Sequence, residues 1–215
     1  KLDNRLMAIK ASGYKLSQIT TDDAYVTVNY DNILKFYQSV DLKENKDYET
    51  ISNEVVKNSI ELLDGMKELR PSVEAGFHSG LDKYVLHVHS VYAVIIVCAK
   101  SGNQIMDKLL SGKDYGFIFV PYINPGFALA KNIYDSIGLY KAKYGKTPQV
   151  IFMKNHGLVV HDNDCKRAMN ILKDVNDTIR AHFDISFEEF KEIKLGKEGD
   201  SLISETPAVT EFLKN

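Results

Sequence analysis

Two histidines separated by one residue are the first feature of this sequence that could perform chemistry. His87 and His89 belong to the apolar segment Tyr84–His89, which is typical of a buried strand. Because side chains alternate between the two faces of a strand, both imidazoles should project from the same face and converge. Two converging imidazoles are half of a zinc site. The pair alone is a weak signal, since two strand histidines that only form hydrogen bonds would have the same spacing.

A third histidine, His156, follows a strongly apolar predicted strand and stands between Asn155 and Gly157. We expect Gly157 to adopt a positive φ and to form a sharp bend that aims the imidazole. Three neutral imidazoles and an open coordination position are typical of a catalytic zinc centre, whereas structural zinc more often uses thiolates. Without the other features, His156 would be interpreted as a turn residue. The sequence indicates no partner for the three other histidines, His78, His161 and His182.

Glu74 and Tyr122 are candidates for proton transfer. Glu74 begins a short predicted helix just before the strand with the two histidines, where the helix dipole alone would stabilise its carboxylate. Beside a metal, it could instead act as a general base if burial raises its pKa. Tyr122 lies in a loop between two prolines, which hold it stiffly. It could donate a proton or simply pack.

The elements that must position these residues alternate between strands and helices after an initial β-rich part. The patterns predict strands over Arg5–Ala11, Ala24–Tyr30, Ile33–Gln38, Tyr84–His89, Gly116–Val120, Gln149–Met153 and Leu158–Val160. They predict helices from Thr50 or Ser52 to Leu69, over Val73–Leu81, Val91–Lys100 and Gly126–Tyr140, and a final long helix with Cys165, Ala168, Met169, Leu172, Val175 and Ile179 on one face. This order predicts an α/β fold, with a sheet covered by helices on both faces.

Composition and charge exclude several classes of protein. With 215 residues and 44% hydrophobic content, the chain can bury the core of one domain, and no linker or repeat divides it. The formal net charge of −2, with both signs interspersed, argues against a nucleic-acid partner. The longest apolar run, Val91–Ala99, is too short to span a membrane. No secretory signal is visible, and we expect Cys98 and Cys165 to be buried thiols of a cytoplasmic protein, without a disulfide.

Four segments of the sequence together resemble the class II aldolase/adducin family. They are Lys10–Gly13, Pro71–His78, Val85–Ser90 and Lys154–Val160. Their order and approximate spacing match the family across nearly the whole chain, and all four in order are far more specific than any one alone. The resemblance implies a three-layer α/β/α fold whose central sheet is mixed and largely antiparallel. We expect residues 1–215 to form a single domain of this type.

The resemblance also implies an activity and a set of roles. The family includes fuculose-phosphate and rhamnulose-phosphate aldolases, which cleave a ketose 1-phosphate to dihydroxyacetone phosphate and an aldehyde. A divalent metal, usually Zn²⁺, is then expected on His87, His89 and His156, with Glu74 as the base. Tyr122 is expected to reach into the next subunit's site as a proton donor. Because active sites of the family lie between subunits, we expect a homotetramer.

Phosphate binding is where the sequence departs from the family. Backbone N–H groups near Ser12 and Gly13, with Ser72, are expected to hold the phosphate of the sugar. The Asn- and Gly-rich phosphate loop of the family precedes the strand matching Arg5–Ala11, so we expect an N-terminal segment to be missing from this sequence. Val73 replaces a second serine of some sugar-phosphate aldolases, so the substrate could differ from the well-known ones.

Three alternatives to an aldolase stay open at this point. A sugar-phosphate 4-epimerase would use the same metal, and Ser90 resembles the residue of the epimerases at that position. Those enzymes usually carry aspartate where this chain has Glu74, which favours an aldolase. A dehydratase could also use this site, since it too would begin by polarising a carbonyl group. A non-catalytic, adducin-like interaction domain could keep the fold, but all four candidate metal-site residues are present.

Overall fold

The computed structural model describes residues 1–184, 194–199 and 201–207. These residues belong to two compact units, Lys1–Ile179 and Arg180–Asn215. All of the candidate site residues named above lie in the first unit. That residues 1–215 form one domain stays a prediction. Within the described residues, no helix has both the length and the apolar character needed to cross a membrane.

Strands and helices alternate along the described chain. The helices are α1 (Tyr30–Ser39), α2 (Tyr48–Asn58), α3 (Ala75–Ser79), α4 (Val91–Cys98), α5 (Gly102–Leu109), α6 (Phe127–Tyr144) and α7 (Cys165–Phe183). The strands are β1 (Leu6–Lys10), β2 (Tyr25–Asn29), β3 (Tyr84–Val88), β4 (Phe117–Val120), β5 (Val150–Met153), β6 (Gly157–Asp162), β7 (Leu195–Glu198) and β8 (Ser201–Ser204). Strands β7 and β8 form a separate antiparallel hairpin in the second unit.

The central sheet has four strands in the order β3-β6-β5-β4. Strand β6 pairs antiparallel with β3 and with β5, whereas β4 and β5 are parallel. Strands β1 and β2 form an additional antiparallel pair. The predicted mixed, largely antiparallel sheet is therefore confirmed.

Alternation along β5 explains why helices cover both faces of this sheet. Val150 and Phe152 point to one face, where they pack in a core with residues of α4, α5 and α7. Ile151 and Met153 point to the other face, where they pack with residues of β1, β2, α1, α3 and α6. All four side chains are buried, and full burial of such a side chain contributes about 1.5–3 kcal/mol. The result is the predicted three-layer α/β/α arrangement.

The strand predicted over Ile33–Gln38 was wrong, because this segment belongs to helix α1. Asn29 caps that helix, and its side chain accepts a hydrogen bond from the Asn32 N–H. Ile33 and Tyr37, four residues apart, are buried on one helix face. The segment therefore follows a helical period and not the alternation of a strand.

The helix predicted to end at Leu69 ends at Asn58 instead. Helix α2 is capped by Asp47, which precedes the predicted start. Beyond its end, Ile60 forms an antiparallel bridge with Val28 of β2, and Gly65 adopts a φ of +81°. Pairing with a strand distant in sequence therefore overrides the helical pattern of the apolar residues.

The predicted burial of the two cysteines was wrong, and the predicted buried face of α7 was correct only in part. Cys98 and Cys165 are both exposed, and Met169 is 52% exposed. The buried residues of α7 are Ala168, Ile171, Val175 and Ile179. These follow the helical period from Ala168, so the buried face is rotated relative to the predicted one.

Candidate metal centre

The two histidines of the His-x-His motif converge at the end of β3, as predicted. His87 pairs with Val159 of β6, and His89 follows directly after the last residue of the strand. The Nε2 atoms of the two imidazoles lie 3.2 Å apart, and the ring centroids are 5.0 Å apart. The strand thus places two nitrogens that can bind a metal next to each other.

His156 joins this pair from the turn between β5 and β6. Its ring centroid is 5.1 Å from that of His87 and 5.1 Å from that of His89. The expected positive φ at Gly157 was wrong, because Asn155 adopts it instead, with a φ of 51°. Asparagine tolerates this conformation better than most residues. The turn that orients the His156 side chain therefore begins at Asn155, one residue earlier.

The reason for a glycine at position 157 is a close approach of the backbone to His89. A Cβ atom at Gly157 would lie 2.5 Å from His89 Cδ2 and 2.9 Å from the Val88 carbonyl oxygen. Neither distance is compatible with an alanine unless the imidazole and the strand move. Gly157 therefore sets the position of a candidate metal ligand.

Substituting Gly157 with alanine is expected to lower zinc affinity by roughly 10–100-fold, the range seen when groups that orient metal ligands are altered. Competition titration with a chromophoric chelator would measure the change. Gly138→Ala on α6 is a matched control, because its added Cβ would meet no atom within 4 Å. This control should keep the affinity of the wild type and gain slight helix stability. Wild-type affinity in Gly157→Ala would contradict the steric argument.

Glu74 lies beside the histidines and contacts two of them. It occupies the position before α3, but its side chain does not cap that helix. Instead, Oε2 lies 2.8 Å from His87 Nδ1, and Oε1 lies 3.2 Å from His156 Nε2. The contacts with two imidazoles, and not a hydrogen bond to the end of α3, therefore fix this side chain.

The expected rise in the pKa of Glu74 was wrong in direction. Burial does oppose ionisation of this carboxyl, but the hydrogen bonds from His156 and His87 outweigh it and hold its pKa well below the ordinary value. The side chain is therefore an ionised carboxylate at neutral pH. It can accept a proton without first losing one.

The geometry of His87 and His89 fits a zinc ion. Two nitrogens bound at about 2.0–2.1 Å to a tetrahedral zinc lie roughly 3.3 Å apart, close to the 3.2 Å between His87 and His89 Nε2. His87 can donate Nδ1–H to Glu74, which leaves its Nε2 lone pair for a metal. Burial, followed by repulsion from His87 and His156, lowers the pKa of His89 and favours the neutral form that binds metal.

His78 is a neighbour of the site that the sequence interpretation missed. A ring nitrogen of His78 lies within 4.8 Å of ligand atoms of Glu74 and His87. Burial, followed by the nearby His87, lowers its pKa to about 3, so the imidazole is neutral. Its spacing of four residues from Glu74 was the available signal, because such residues share a helix face.

A cavity of about 690 Å³ opens beside these side chains. Glu74, His78, His87 and His89 line it. Much of the remaining wall is apolar, which is typical of small-molecule sites. The arrangement can hold a metal and a small ligand side by side.

Comparison with known proteins identifies the family. The model of the class II aldolase and adducin N-terminal domain matches residues 1–183. The chain belongs to the class II aldolase/adducin family. This agrees with the fold and with the convergence of the histidines and Glu74 described above.

Two solved structures share the fold of this class II aldolase domain. The N-terminal class II aldolase domain of a conserved Thermoplasma acidophilum protein is similar with a TM-score of 0.61 and 23% identity, over 81% of this chain and 73% of that one. An L-fuculose 1-phosphate aldolase has a TM-score of 0.52 and 17% identity, over 98% of this chain and 81% of the aldolase. At these identities, the likeness concerns the fold alone.

A Bacillus subtilis (strain 168) protein, named uncharacterized oxidoreductase YuxG, is 30% identical over 125 residues. The match covers 54% of this chain but only 17% of that relative. Most of the relative therefore lies outside the aldolase-type segment that the two proteins share.

The residues expected to bind phosphate are only partly brought to the cavity of this class II aldolase domain. Ser72 lines it, whereas Ser12 and Gly13 do not. The Ser12 N–H donates to the Arg70 carbonyl oxygen at 2.8 Å, so this donor is already used. Gly13 has a φ of +84°, which the turn after β1 requires.

Lys10 is a cation near Ser72 that the sequence interpretation did not single out. It lines the cavity, and its Nζ donates to the carbonyl oxygens of Ala11 and Tyr14 at 3.0 and 2.9 Å. No carboxylate of the described residues lies within 4.0 Å of this ammonium group. Its charge is therefore available to an anion.

Tyr122 lies apart from the other candidate residues of the aldolase site. Its side chain is 56% exposed, and its hydroxyl donates to Asn124 Oδ1 at 2.9 Å within the same loop. It does not line the cavity that contains Glu74. Within one copy of the chain, Tyr122 is therefore an exposed loop residue.

Proposed function

We propose that this chain is the catalytic domain of a zinc-dependent aldolase. It cleaves a ketose 1-phosphate into dihydroxyacetone phosphate and an aldehyde, or catalyses the reverse condensation. The observation that carries the proposal is the contact of the Glu74 carboxylate with two of three convergent imidazoles, beside a cavity that Glu74, His87 and His89 line. A base and a metal-binding set side by side are what proton abstraction next to a carbonyl group requires.

The proposed roles follow from the positions of the side chains. Three histidines would hold the ion, and a bound zinc or other divalent ion would polarise the carbonyl group as a Lewis acid. In the condensation direction, Glu74 takes a proton from the dihydroxyacetone phosphate carbon that forms the new bond. That carbon attacks the aldehyde carbon, and the aldehyde oxygen gains a proton. Cleavage is the reverse of these steps.

Tyr122 is the proposed donor of the second proton, acting in the site of a neighbouring copy. Its exposure and its place in a loop between two prolines support a role outside its own cavity. This role requires an oligomer, and we propose a homotetramer in the cytoplasm. Ser72 with Lys10 would hold the substrate phosphate, and the backbone near Ser12 and Gly13 would support that end.

A sugar-phosphate 4-epimerase is the second candidate. Ser90, the residue after the His-x-His motif, lines the cavity, which keeps this candidate open. Product analysis distinguishes the two activities, since an epimerase converts one pentulose phosphate into another without releasing an aldehyde. A dehydratase would release water instead. A non-catalytic interaction domain would have no need of the metal-binding set.

Removal of metal is the direct test of the proposed aldolase. The metal-loaded protein is incubated with a panel of ketose 1-phosphates, and released dihydroxyacetone phosphate is coupled to NADH oxidation. Cleavage of at least one sugar phosphate is expected, with loss of activity in EDTA and recovery on adding zinc, cobalt or manganese. No cleavage by protein shown to contain metal, or cleavage that EDTA leaves unchanged, would contradict the proposal.

A further inference from the structure

Helix α3, which directly follows Glu74, is too short to be stable on its own. It has five residues, Ala75–Ser79, whereas isolated helices shorter than about 12 residues are marginal in water. The Glu74 carbonyl oxygen accepts the His78 N–H at 3.2 Å, so the backbone of Glu74 takes part in the first turn of this helix. Contacts from other elements must therefore fix α3, and with it the proposed base.

Tyr134 of helix α6 supplies the hydrogen bonds that hold the end of α3. Its hydroxyl donates to the Gly76 carbonyl oxygen at 2.8 Å and lies 2.9 Å from the hydroxyl of Ser79. Ser79, which is fully buried, also donates to the Gly76 carbonyl oxygen, at 2.6 Å. In a longer helix this carbonyl group would accept the Gly80 N–H, which bonds to the Phe77 carbonyl oxygen instead. The two hydroxyl groups therefore satisfy a carbonyl group that α3 itself leaves without a donor.

Two glycines let tyrosine rings lie directly against the backbone of α3. A Cβ atom at Gly76 would lie 2.4 Å from the Tyr37 hydroxyl oxygen. One at Gly80, which ends the helix, would lie 2.0 Å from Tyr134 Cε1. The two rings come from α1 and α6, and their centroids are 5.2 Å apart. A shift of α3 toward either ring would therefore produce a direct clash.

The position of α3 determines how the Glu74 carboxylate meets the imidazoles. Its oxygens lie 2.8 Å from His87 Nδ1 and 3.2 Å from His156 Nε2. His87 belongs to β3, and His156 to the turn after β5, so a movement of α3 would change both distances. Misplacement of a reacting group by about 1 Å can lower a rate by about 100-fold. The proposed base therefore depends on the contacts that hold this helix.

Ser72, which is proposed to hold the substrate phosphate, is fixed by a different element. Its N–H donates to the Lys10 carbonyl oxygen at 3.3 Å, and the preceding Pro71 forms an antiparallel bridge with Ala11. These contacts come from the end of β1 and the residue that follows it. Loosening α3 should therefore disturb the proposed base more than it disturbs phosphate binding.

We propose that Tyr134 is a positioning residue, whose hydroxyl fixes α3 and thereby holds the Glu74 carboxylate against the imidazoles of the site. The inference rests on the proposed aldolase function, in which Glu74 is the base. Tyr134 does not line the cavity, so it acts on proton transfer only through the helix that follows Glu74.

Removing the hydroxyl group alone tests this role. Tyr134→Phe keeps the ring and should lower kcat for sugar phosphate cleavage by about 3- to 10-fold, the change that corresponds to one neutral hydrogen bond. KM should stay unchanged, because Ser72 is held from β1. Ser79→Ala removes the second hydroxyl group and should act in the same direction, which keeps the test open if Tyr134→Phe does not fold.

Tyr140→Phe is the matched control, since it makes the same change on the same helix. The Tyr140 hydroxyl lies against Gly116 and not against α3, because a Cβ atom at Gly116 would be 2.1 Å from it. This variant should keep the kcat of the wild type. Circular dichroism and metal content show whether each variant is folded and loaded.

A double-mutant cycle with Glu74→Gln separates positioning of the base from a general structural effect. If Tyr134 acts through the Glu74 carboxylate, Tyr134→Phe should have little further effect on kcat in the Glu74→Gln background. The same loss in both backgrounds would mean that Tyr134 is only structural and would overturn the proposal. An unchanged kcat in Tyr134→Phe alone would overturn it as well.

Hydrogen exchange keeps this inference separable from the aldolase proposal. The N–H groups of His78, Gly80 and Leu81 form the hydrogen bonds of α3 and its end. Their exchange should be about 3- to 10-fold faster in Tyr134→Phe than in the wild type, but not in Tyr140→Phe.

If the wild type cleaves no sugar phosphate, the aldolase function fails, and zinc affinity replaces kcat in the double-mutant cycle. Zinc affinity reports on Glu74 because its carboxylate also orients His87. Faster exchange in Tyr134→Phe, together with coupling to Glu74, supports the positioning role. Unchanged exchange, or the absence of coupling, overturns it.

Discussion

Glu74→Gln is expected to lower kcat by about 100- to 10,000-fold, the range that general acid–base catalysis contributes, while the protein keeps its bound metal. Glutamine has nearly the same shape, and its amide oxygen can still accept the hydrogen bond from His87 Nδ1. It cannot accept a proton from a carbon atom. The rate of dihydroxyacetone phosphate release at saturating substrate measures the effect, and elemental analysis measures the metal.

The control for this variant is Glu54→Gln, which removes an exposed carboxylate from α2. Its turnover and metal content should match the wild type. Full activity in Glu74→Gln would show that the base is another group. Loss of metal together with activity would show that Glu74 mainly holds or orients the ligands, as its contacts with His87 and His156 would also allow.

The low pKa of Glu74 constrains how such a base would work. An ionised carboxylate is always ready to accept a proton, but hydrogen bonds from two imidazoles make it a weaker base. A substrate that separates the carboxylate from either imidazole would remove part of this stabilisation and raise the pKa. Basicity would then increase when the substrate is in place.

The sequence was sufficient to predict that His87 and His89 converge, because the geometry of a strand determines it. The alternation of side chains along β3 places His87 and His89 on one face, and the turn after β5 brings His156 to them. The reason for Gly157 could not be predicted, since it depends on a contact with His89, which lies far away in sequence. The direction of the Glu74 pKa depended on the same kind of contact.

The errors in the fold have a common physical cause. The apolar residues of Ile33–Gln38 and of the segment after Asn58 suit more than one element. Their structure was decided by the Asn29 cap in one case and by pairing of Ile60 with Val28 in the other. Local patterns do not contain such tertiary contacts, whereas the order of the main strands and helices follows from periodicity.

The residues that the sequence interpretation missed lie on elements other than β3 and the turn after β5. His78 lies on α3 and Lys10 at the end of β1, and both line the cavity. Tyr122 shows the opposite case. It lies in a recognisable segment, but one copy of the chain does not bring it to the cavity, so its proposed role depends on assembly.

His89→Ala is expected to lower zinc affinity by at least about 100-fold, because it removes a proposed ligand. This loss should exceed the effect of altering a group that only orients a ligand. The two remaining histidines would form an incomplete site. Metal content after gel filtration and a chelator competition titration measure the loss. Activity in the aldolase assay should fall with it and should return only in part at high zinc concentration.

His182→Ala is the control for general effects of removing an imidazole, because His182 is exposed and lies outside the cluster of His87, His89 and His156. It should bind one equivalent of zinc like the wild type. Retention of one tightly bound equivalent by His89→Ala would contradict the site of three histidines and would point to a set made of Glu74, His78 and His87. The double variant of His89→Ala and His78→Ala distinguishes these two sets. If Glu74, His78 and His87 hold the ion in His89→Ala, adding His78→Ala should release it.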